Sequence, residues 1–162
     1  MIRKQHKKYS KPKKLFDKAR IEEENQLIKK YGLKNKKEIW KAEYYLSRLR
    51  NQARKLITAP IEKKQEFIAR LVNKGIAKKN SQIDDILALT KEAILERRLQ
   101  TIVFQKKLAR TPKEARQLIT HKHIKVKDRI VNIPSYFVDL EEENQITKKE
   151  QRIKKKTEEK NA

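Results

Sequence analysis

The segment that most constrains the fold of this chain begins at Thr111, where three separate preferences agree on the start of a helix. Thr111 is a favoured N-cap residue, Pro112 suits the first helical position, and Glu114 completes a Ser/Thr-x-x-Glu capping box. Ile124 and Val126 follow closely, with the alternation of a short strand. The sequence therefore predicts a capped helix that turns directly into β structure.

The chain carries a formal net charge of +23, from 44 Lys and Arg against 21 Asp and Glu. The excess is dense around the capped helix, where residues 97–129 hold eleven Lys and Arg and only two acids, Glu114 and Asp128. Surface helices normally mix both signs, so this stretch indicates a polyanionic partner. Nucleic acid is the leading class. A membrane partner is not expected, because no long amphipathic helix has a broad apolar face with aromatic anchors.

Helical periodicity is clearest over residues 37–57. Spacings of three and four make one apolar stripe, formed by Ile39, Ala42, Leu46, Leu49, Ala53 and Leu56. The opposite face presents four candidate RNA-contacting side chains, Lys41, Tyr44, Arg48 and Lys55. Shorter helices are predicted over 21–31 and 61–74, with Gly32 and Gly75 just past their ends. For residues 90–108 the pattern fits one helix or two.

The second half of the chain adds short β segments. We expect a first strand at Ile124 and Val126, a turn at Lys127-Asp128, a second strand beginning at Val131 and Ile133, and a third apolar piece at 136–138. The predicted class is α+β and mostly helical, with a helical N-terminal region followed by a small α+β unit and basic flexible tails. The expected segments are a basic arm at 1–20, a helical domain at 21–95, the small α+β domain at 96–146 and a charged, disordered tail at 147–162.

Catalytic and metal chemistry find little support in the residue types. The chain has no cysteine, so disulfides and thiolate zinc sites are excluded. His121 and His123 lack nearby partners for a metal, and Asp84 and Asp85 are adjacent, so their carboxyl groups would not converge on one substrate atom. We therefore expect no enzyme activity, no metal or cofactor and no small-molecule substrate. The basic N-terminal segment lacks the apolar stretch of a secretory signal, and a cytoplasmic protein is expected.

Two stretches of the chain carry a family resemblance. Residues 96–140, which include ERRLQTIVFQKKLARTPKEARQLITHKHIKVKD and IPSY, resemble the S-four RNA-binding domain. Residues 31–40, YGLKNKKEIW, and 50–56, RNQARKL, are similar to the region that precedes this domain in the archaeal-type small-subunit ribosomal protein S-four family. Both stretches occur in the order that the family has, and together they cover most of residues 21–146.

The resemblance implies a structural constituent of the small ribosomal subunit. Such a protein binds small-subunit (16S-type) ribosomal RNA directly, helps to nucleate assembly and contacts neighbouring small-subunit ribosomal proteins in the cytoplasm. The positions that match the family's RNA-facing residues are Arg97, Arg98, Gln100, Thr101, Arg110, Thr111, Arg116, Gln117, His121 and His123. Lys113 and Lys122, on the same helix and at its end, complete the candidate set.

The chain departs from the family at two positions that favour glycine. Lys122 stands where the family often has glycine between the two histidines, and Lys127-Asp128 replaces a frequent Asn-Gly turn, where Asp tolerates a positive φ better than most residues. Two other functions remain open. An RNA-modifying enzyme with this domain as an appendage would need a separate catalytic domain, whereas a free-standing RNA-binding factor acting on ribosomal particles would not.

Overall fold

The computed structural model describes residues 7–149 and has the predicted α+β, mostly helical class. The described helices and strands are α1 (Lys18–Tyr31), α2 (Lys36–Leu56), α3 (Ile61–Asn73), α4 (Ile83–Ala88), α5 (Lys91–Glu96), α6 (Leu99–Gln105), α7 (Pro112–Thr120), β1 (Ile124–Val126), β2 (Arg129–Ile130), α8 (Leu140–Glu143) and β3 (Ile146–Lys148). Residues 1–6 of the predicted arm and 150–162 of the predicted tail lie outside the described residues.

The helices of the first half follow the apolar pattern of the sequence. Helix α2 buries five of its six stripe residues, and Leu56 at its end is half-buried. Helix α1 begins at Lys18, earlier than predicted, and ends at Gly32, which has a φ of 60°. A left-handed residue at this point favours glycine, because a side chain would strain the backbone there. Gly75 ends α3 in the same way, with a φ of 66°.

The pattern over 90–108 forms two helices, α5 and α6, which are interrupted at Arg97 and Arg98. A returning segment of chain satisfies backbone groups at this break. The N–H of Leu99 donates to the carbonyl of Tyr136 at 2.8 Å, and the N–H of Val138 donates to the carbonyl of Arg97 at 3.2 Å. The apolar piece at 136–138 therefore crosses the helix break and is not a strand of the sheet.

The sheet is antiparallel, with strand order β2-β1-β3. Strand β2 comprises Arg129 and Ile130. The second strand was predicted to begin at Val131 and Ile133, so its predicted position is wrong and lies too late in the sequence. The third strand lies at the start of the predicted tail, where Thr147 pairs with Lys125 and Lys148 with Ile124. The prediction of a disordered tail is therefore wrong at Thr147 and Lys148. Their polar side chains are compatible with an edge strand, because they point to solvent while Ile146 is buried.

Three lysines take the left-handed conformation that usually favours glycine. Lys122 has a φ of 63° at the end of α7, Lys127 has a φ of 55° in the hairpin turn, and Lys107 has a φ of 58° after α6. The hairpin turn forms, but its positive φ falls on Lys127 and not on Asp128, the residue expected to tolerate it better. Each such residue adds about 1 kcal/mol of backbone strain relative to glycine.

Two clusters of buried apolar side chains lie on either side of the helix break. The first is built from residues between Leu27 and Leu95, and the second from residues between Leu99 and Ile146. Phe137 packs against the first cluster, and its ring lies 5.3 Å from that of Tyr45 between centroids. The predicted division into domains stays a prediction, to which these two clusters give a physical basis. Within residues 7–149, none of the helices combines the length and apolar character needed to span a bilayer.

Candidate nucleic-acid-binding surface

An open groove of about 720 Å³ runs along α2, where this helix faces the break between α5 and α6. It brings together five of the predicted site residues: Lys41, Tyr44 and Arg48 from α2, with Arg98 and Arg116 from the second half. Lys41 and Arg48 are exposed and have no carboxylate partner among the described residues. The groove therefore offers free cations beside the half-buried ring of Tyr44.

One carboxylate holds the two arginines of the groove. In the first turn of α2, Glu38 accepts hydrogen bonds from Arg116 at 2.9 Å on Oε1 and 3.3 Å on Oε2, and Arg98 donates to the same Oε2. The Arg98 side chain is only 7% exposed, against 15% for Glu38 and 24% for Arg116. Arg116 also donates to the amide oxygen of Gln100 at 3.2 Å. This cluster, which we call the Glu38 junction, joins the two halves of the chain.

The protonation of Glu38 reflects these contacts. Burial raises the pKa of the Glu38 carboxyl, but hydrogen bonds from Arg116 and Arg98 outweigh burial and hold the pKa below its usual range. Glu38 is therefore ionised at neutral pH and neutralises one of the two guanidinium groups. Arg98 and Arg116, both predicted to contact RNA, are engaged with this carboxylate, and their contact with RNA stays a prediction. Arg116 remains the more accessible of the two.

Gln100 and Thr101 were predicted to face RNA, and the structure buries both. The amide nitrogen of Gln100 donates to the carbonyls of Tyr31, Gly32 and Pro112 at 2.9–3.1 Å. The hydroxyl of Thr101 donates to the carbonyl of Leu95 at 2.7 Å, across the helix break. These predictions are wrong because both polar side chains satisfy buried backbone groups, with only 1% and 8% of their surfaces exposed.

Arg97 also has a structural role in this fold. It pairs with Glu143 at 2.7 Å and donates to the carbonyl of Val138 at 2.8 Å, with a side chain that is 13% exposed. Its guanidinium group lies over Gly75, where an added Cβ would come within 2.6 Å of it. Arg97 thus links α8 to the end of α3. Arg97 was predicted to face RNA, and this prediction is corrected because its guanidinium group is engaged within the protein.

A second set of predicted residues lies on the outer side of α7 and its ends. Exposed there are Arg110, Thr111, Lys113, Gln117, His121 and Lys122, and His123 is half-buried beside them. The rings of His121 and His123 lie 6.5 Å apart, and no metal-binding group of three acids or histidines occurs in the described part of the chain. Lys55 is exposed near the end of α2 and does not line the groove.

The predicted capping box forms only in part. The hydroxyl of Thr111 accepts the N–H of Glu114 at 3.1 Å, as expected for an N-cap. The carboxylate of Glu114 instead accepts the N–H of Arg110 at 2.7 Å, one residue before the N-cap. This bond fixes the backbone of Arg110 while leaving its guanidinium group exposed.

Sequence reasoning missed three residues of the groove, Lys8, Tyr9 and Lys37. The ring of Tyr9 stacks on Trp40 at 6.4 Å between centroids, and the ammonium group of Lys37 lies 5.2 Å from the Tyr9 centroid. The available signal was an aromatic residue set among lysines in the basic arm, a pattern typical of nucleic-acid-binding segments. Its pairing with Trp40 was not readable, since the two positions are far apart in sequence.

Comparison with known proteins agrees with this geometry. Residues 97–144, which contain the helix break, α7 and the hairpin, match the S4 domain family. The small ribosomal subunit protein uS4 of Methanoregula boonei is 46% identical over 153 residues, which cover 89% of this chain and 83% of that protein. That of Thermoplasma volcanium is 49% identical over 148 residues, covering 87% and 74%, and that of Korarchaeum cryptofilum is 46% identical over 148 residues, covering 90% and 89%.

The fold and the matched segment thus define a protein that carries an S4 domain behind a helical unit. The identity extends well beyond that domain, across nearly nine-tenths of the chain. This chain belongs to the small ribosomal subunit protein uS4 family.

Proposed function

We propose that this chain is a structural constituent of the small ribosomal subunit that binds small-subunit ribosomal RNA directly and helps to nucleate assembly. The observation that carries the proposal is the 46–49% identity to archaeal proteins named for this subunit. The proposal includes contacts with neighbouring small-subunit proteins and a cytoplasmic location on the ribosome. It includes no catalytic step, cofactor or small-molecule substrate.

The groove along α2 is the proposed centre of the RNA contact. Lys41 and Arg48 present charges that no carboxylate of the described residues neutralises, and Tyr44 lies between them in the sequence and lines the same groove. Lys and Arg side chains bind phosphates, whereas an aromatic side chain stacks on an unpaired base. The outer side of α7 adds a second contact through exposed side chains such as Arg110 and Lys113. Residues 21–95 would then supply the first contact and 96–146 the second.

The proposal is tested by binding of the full chain to a small-subunit rRNA transcript across a range of salt concentrations. We expect the double variant Lys41→Ala/Arg48→Ala to bind at least about a hundredfold more weakly, because each of the two lost charged hydrogen bonds contributes roughly 1.5–3 kcal/mol. The slope of log affinity against log salt should fall by about 1.4–1.8, since roughly 0.7–0.9 is lost per phosphate contact.

The matched control is Lys63→Ala/Lys74→Ala, which removes the same charge from exposed residues of α3 and its end, away from the groove. Its affinity should change by less than about twofold at moderate salt, because distant charges are largely screened. Equal losses in the two double variants would mean that the total charge, and not the groove, holds the RNA.

A further inference from the structure

A turn just before α1 displays an aromatic side chain to solvent. Phe16 is 92% exposed and the neighbouring Leu15 is 57% exposed, the two forming an apolar tip between Lys14 and Asp17. Single exposed apolar residues are ordinary on protein surfaces. What distinguishes this tip is the way in which its backbone is held.

Arg20 anchors the turn from the first helix. Its Nη2 donates to the carbonyl oxygens of Lys14 at 2.9 Å and Leu15 at 3.0 Å, and its Nη1 pairs with Glu24 at 2.6 Å. One guanidinium group thus binds both the backbone of the turn and a carboxylate of α1. The planar fork of arginine suits this task, because its donors are fixed relative to one another.

The carboxylate that receives Arg20 is itself buried and tied to α2. Glu24 is 3% exposed, accepts the indole N–H of Trp40 at 3.0 Å and lies 3.3 Å from the ammonium group of Lys36. Burial raises the pKa of Glu24, but the bonds from Trp40, Arg20 and Lys36 outweigh it and lower the pKa, so the anchor is charged at neutral pH. The turn is therefore fastened to the body of the protein, and Phe16 is presented on an ordered support.

The surroundings of this tip favour a polyanion. Residues 7–20 contain seven Lys and Arg and one acid, Asp17. A pocket on a protein partner would have to accommodate this charge around Phe16, whereas RNA supplies both phosphates for the cations and flat bases for the ring. An unpaired base stacks on an aromatic side chain with little dependence on its identity.

We propose that the exposed ring of Phe16 stacks on an unpaired RNA base. The Arg20–Glu24 ion pair holds the turn that carries Phe16 in place. The inference rests on the proposed binding to ribosomal RNA and adds a nucleotide contact outside the groove, because neither Phe16 nor Leu15 lines it. The lysines of the same segment then hold the phosphates on either side of the stacked base.

The experiment compares Phe16→Ala, Phe16→Leu and Phe16→Trp in the full chain, with the dissociation constant for a small-subunit rRNA transcript as the readout. Phe16→Ala should weaken binding about 5- to 150-fold, the range that base–aromatic stacking gives. Phe16→Leu should lose nearly as much, because leucine is apolar but has no ring, and Phe16→Trp should bind like the parent. The salt slope should not change, because no phosphate contact is removed.

Two further measurements make the outcome decisive. The urea midpoint of Phe16→Ala should equal that of the parent, because the side chain is almost fully exposed, and Ile61→Ala, at an apolar residue that is 70% exposed on α3, should leave RNA affinity unchanged. Parental RNA affinity in Phe16→Ala would overturn the inference while leaving the proposed function intact. So would parental affinity in Phe16→Leu, which would indicate a simple apolar contact. A parent protein without affinity for the transcript would overturn both.

Discussion

Substitution of Glu38 by glutamine tests whether the Glu38 junction holds the two halves of the chain together. The variant keeps the size of the side chain but removes the charge that faces Arg98 and Arg116. Arg98, with a side chain that is 7% exposed, would be left as a buried cation with a neutral partner. One amide group cannot accept all the hydrogen bonds that both carboxylate oxygens receive, and its NH₂ would point at a guanidinium donor.

The expected loss of stability follows from the burial of the junction. Removing one partner of a buried ion pair costs about 3–5 kcal/mol. The junction is not fully buried, because Arg116 is 24% exposed and can regain water, so we take the lower end of that range, about 3 kcal/mol. For a chain of this size such a loss lowers the melting temperature by roughly 6–12 °C.

Urea denaturation followed by circular dichroism measures this free energy at neutral pH and low salt. Glu43→Gln is the matched control, because Glu43 lies on the same helix, is exposed and makes no ion pair among the described residues. Its stability should stay within about 0.5 kcal/mol of the parent. If Glu38→Gln lost less than about 1 kcal/mol, the paired arginines would not depend on the carboxylate and the reasoning would fail.

Two further predictions concern the contact between the halves and its pH dependence. Gly32→Ala should lower the free energy of unfolding by about 2–4 kcal/mol in urea denaturation, because the left-handed backbone strains alanine and the new Cβ would lie 2.8–3.0 Å from Pro112 and Lys113. Asparagine tolerates the positive φ better but brings the same Cβ, so Gly32→Asn should also be destabilised. Parental stability of Gly32→Asn would disprove the close approach. Stability should be flat from pH 7 to about 5 and should fall below that, because Glu38 and Glu24 have lowered pKa values when folded and lose their stabilising charge as they are protonated. Glu38→Gln should show a shallower acid decline than the parent in melts at successive pH values, and an equal decline would exclude Glu38 as a cause.

The local elements of this fold were largely readable from the sequence. The α2 stripe, the glycine ends of α1 and α3, and the Thr111 cap each depend on residues within one or two helical turns. The predictions failed where tertiary pairing decided the outcome. Strand β3 is polar at Thr147 and Lys148, so its sequence resembles a tail, and only pairing with β1 makes it a strand.

The sequence predicted which cations of α2 share the candidate site, but it did not predict which polar side chains are buried. Lys41, Tyr44 and Arg48 could be assigned to one face of α2, and the groove contains all three. The burial of Gln100 and Thr101 could not be foreseen, because the backbone groups that they satisfy belong to a helix end and a helix break. Polar residues beside arginines looked like an RNA-facing surface, whereas they complete the hydrogen bonds of the interior.

The structure divides the cations of this chain into two kinds. Arg97, Arg98 and Arg116 each bind a carboxylate of the fold, and all three have side chains no more than 24% exposed. Arginine suits such positions because one guanidinium group can serve several acceptors at once. Lys41 and Arg48, by contrast, remain open in the groove without a carboxylate partner among the described residues. A count of charges along residues 97–129 therefore overestimates the number of phosphates that this stretch can hold. The salt dependence of RNA binding should follow the exposed cations alone, because ions already paired within the protein release no counterions from the RNA.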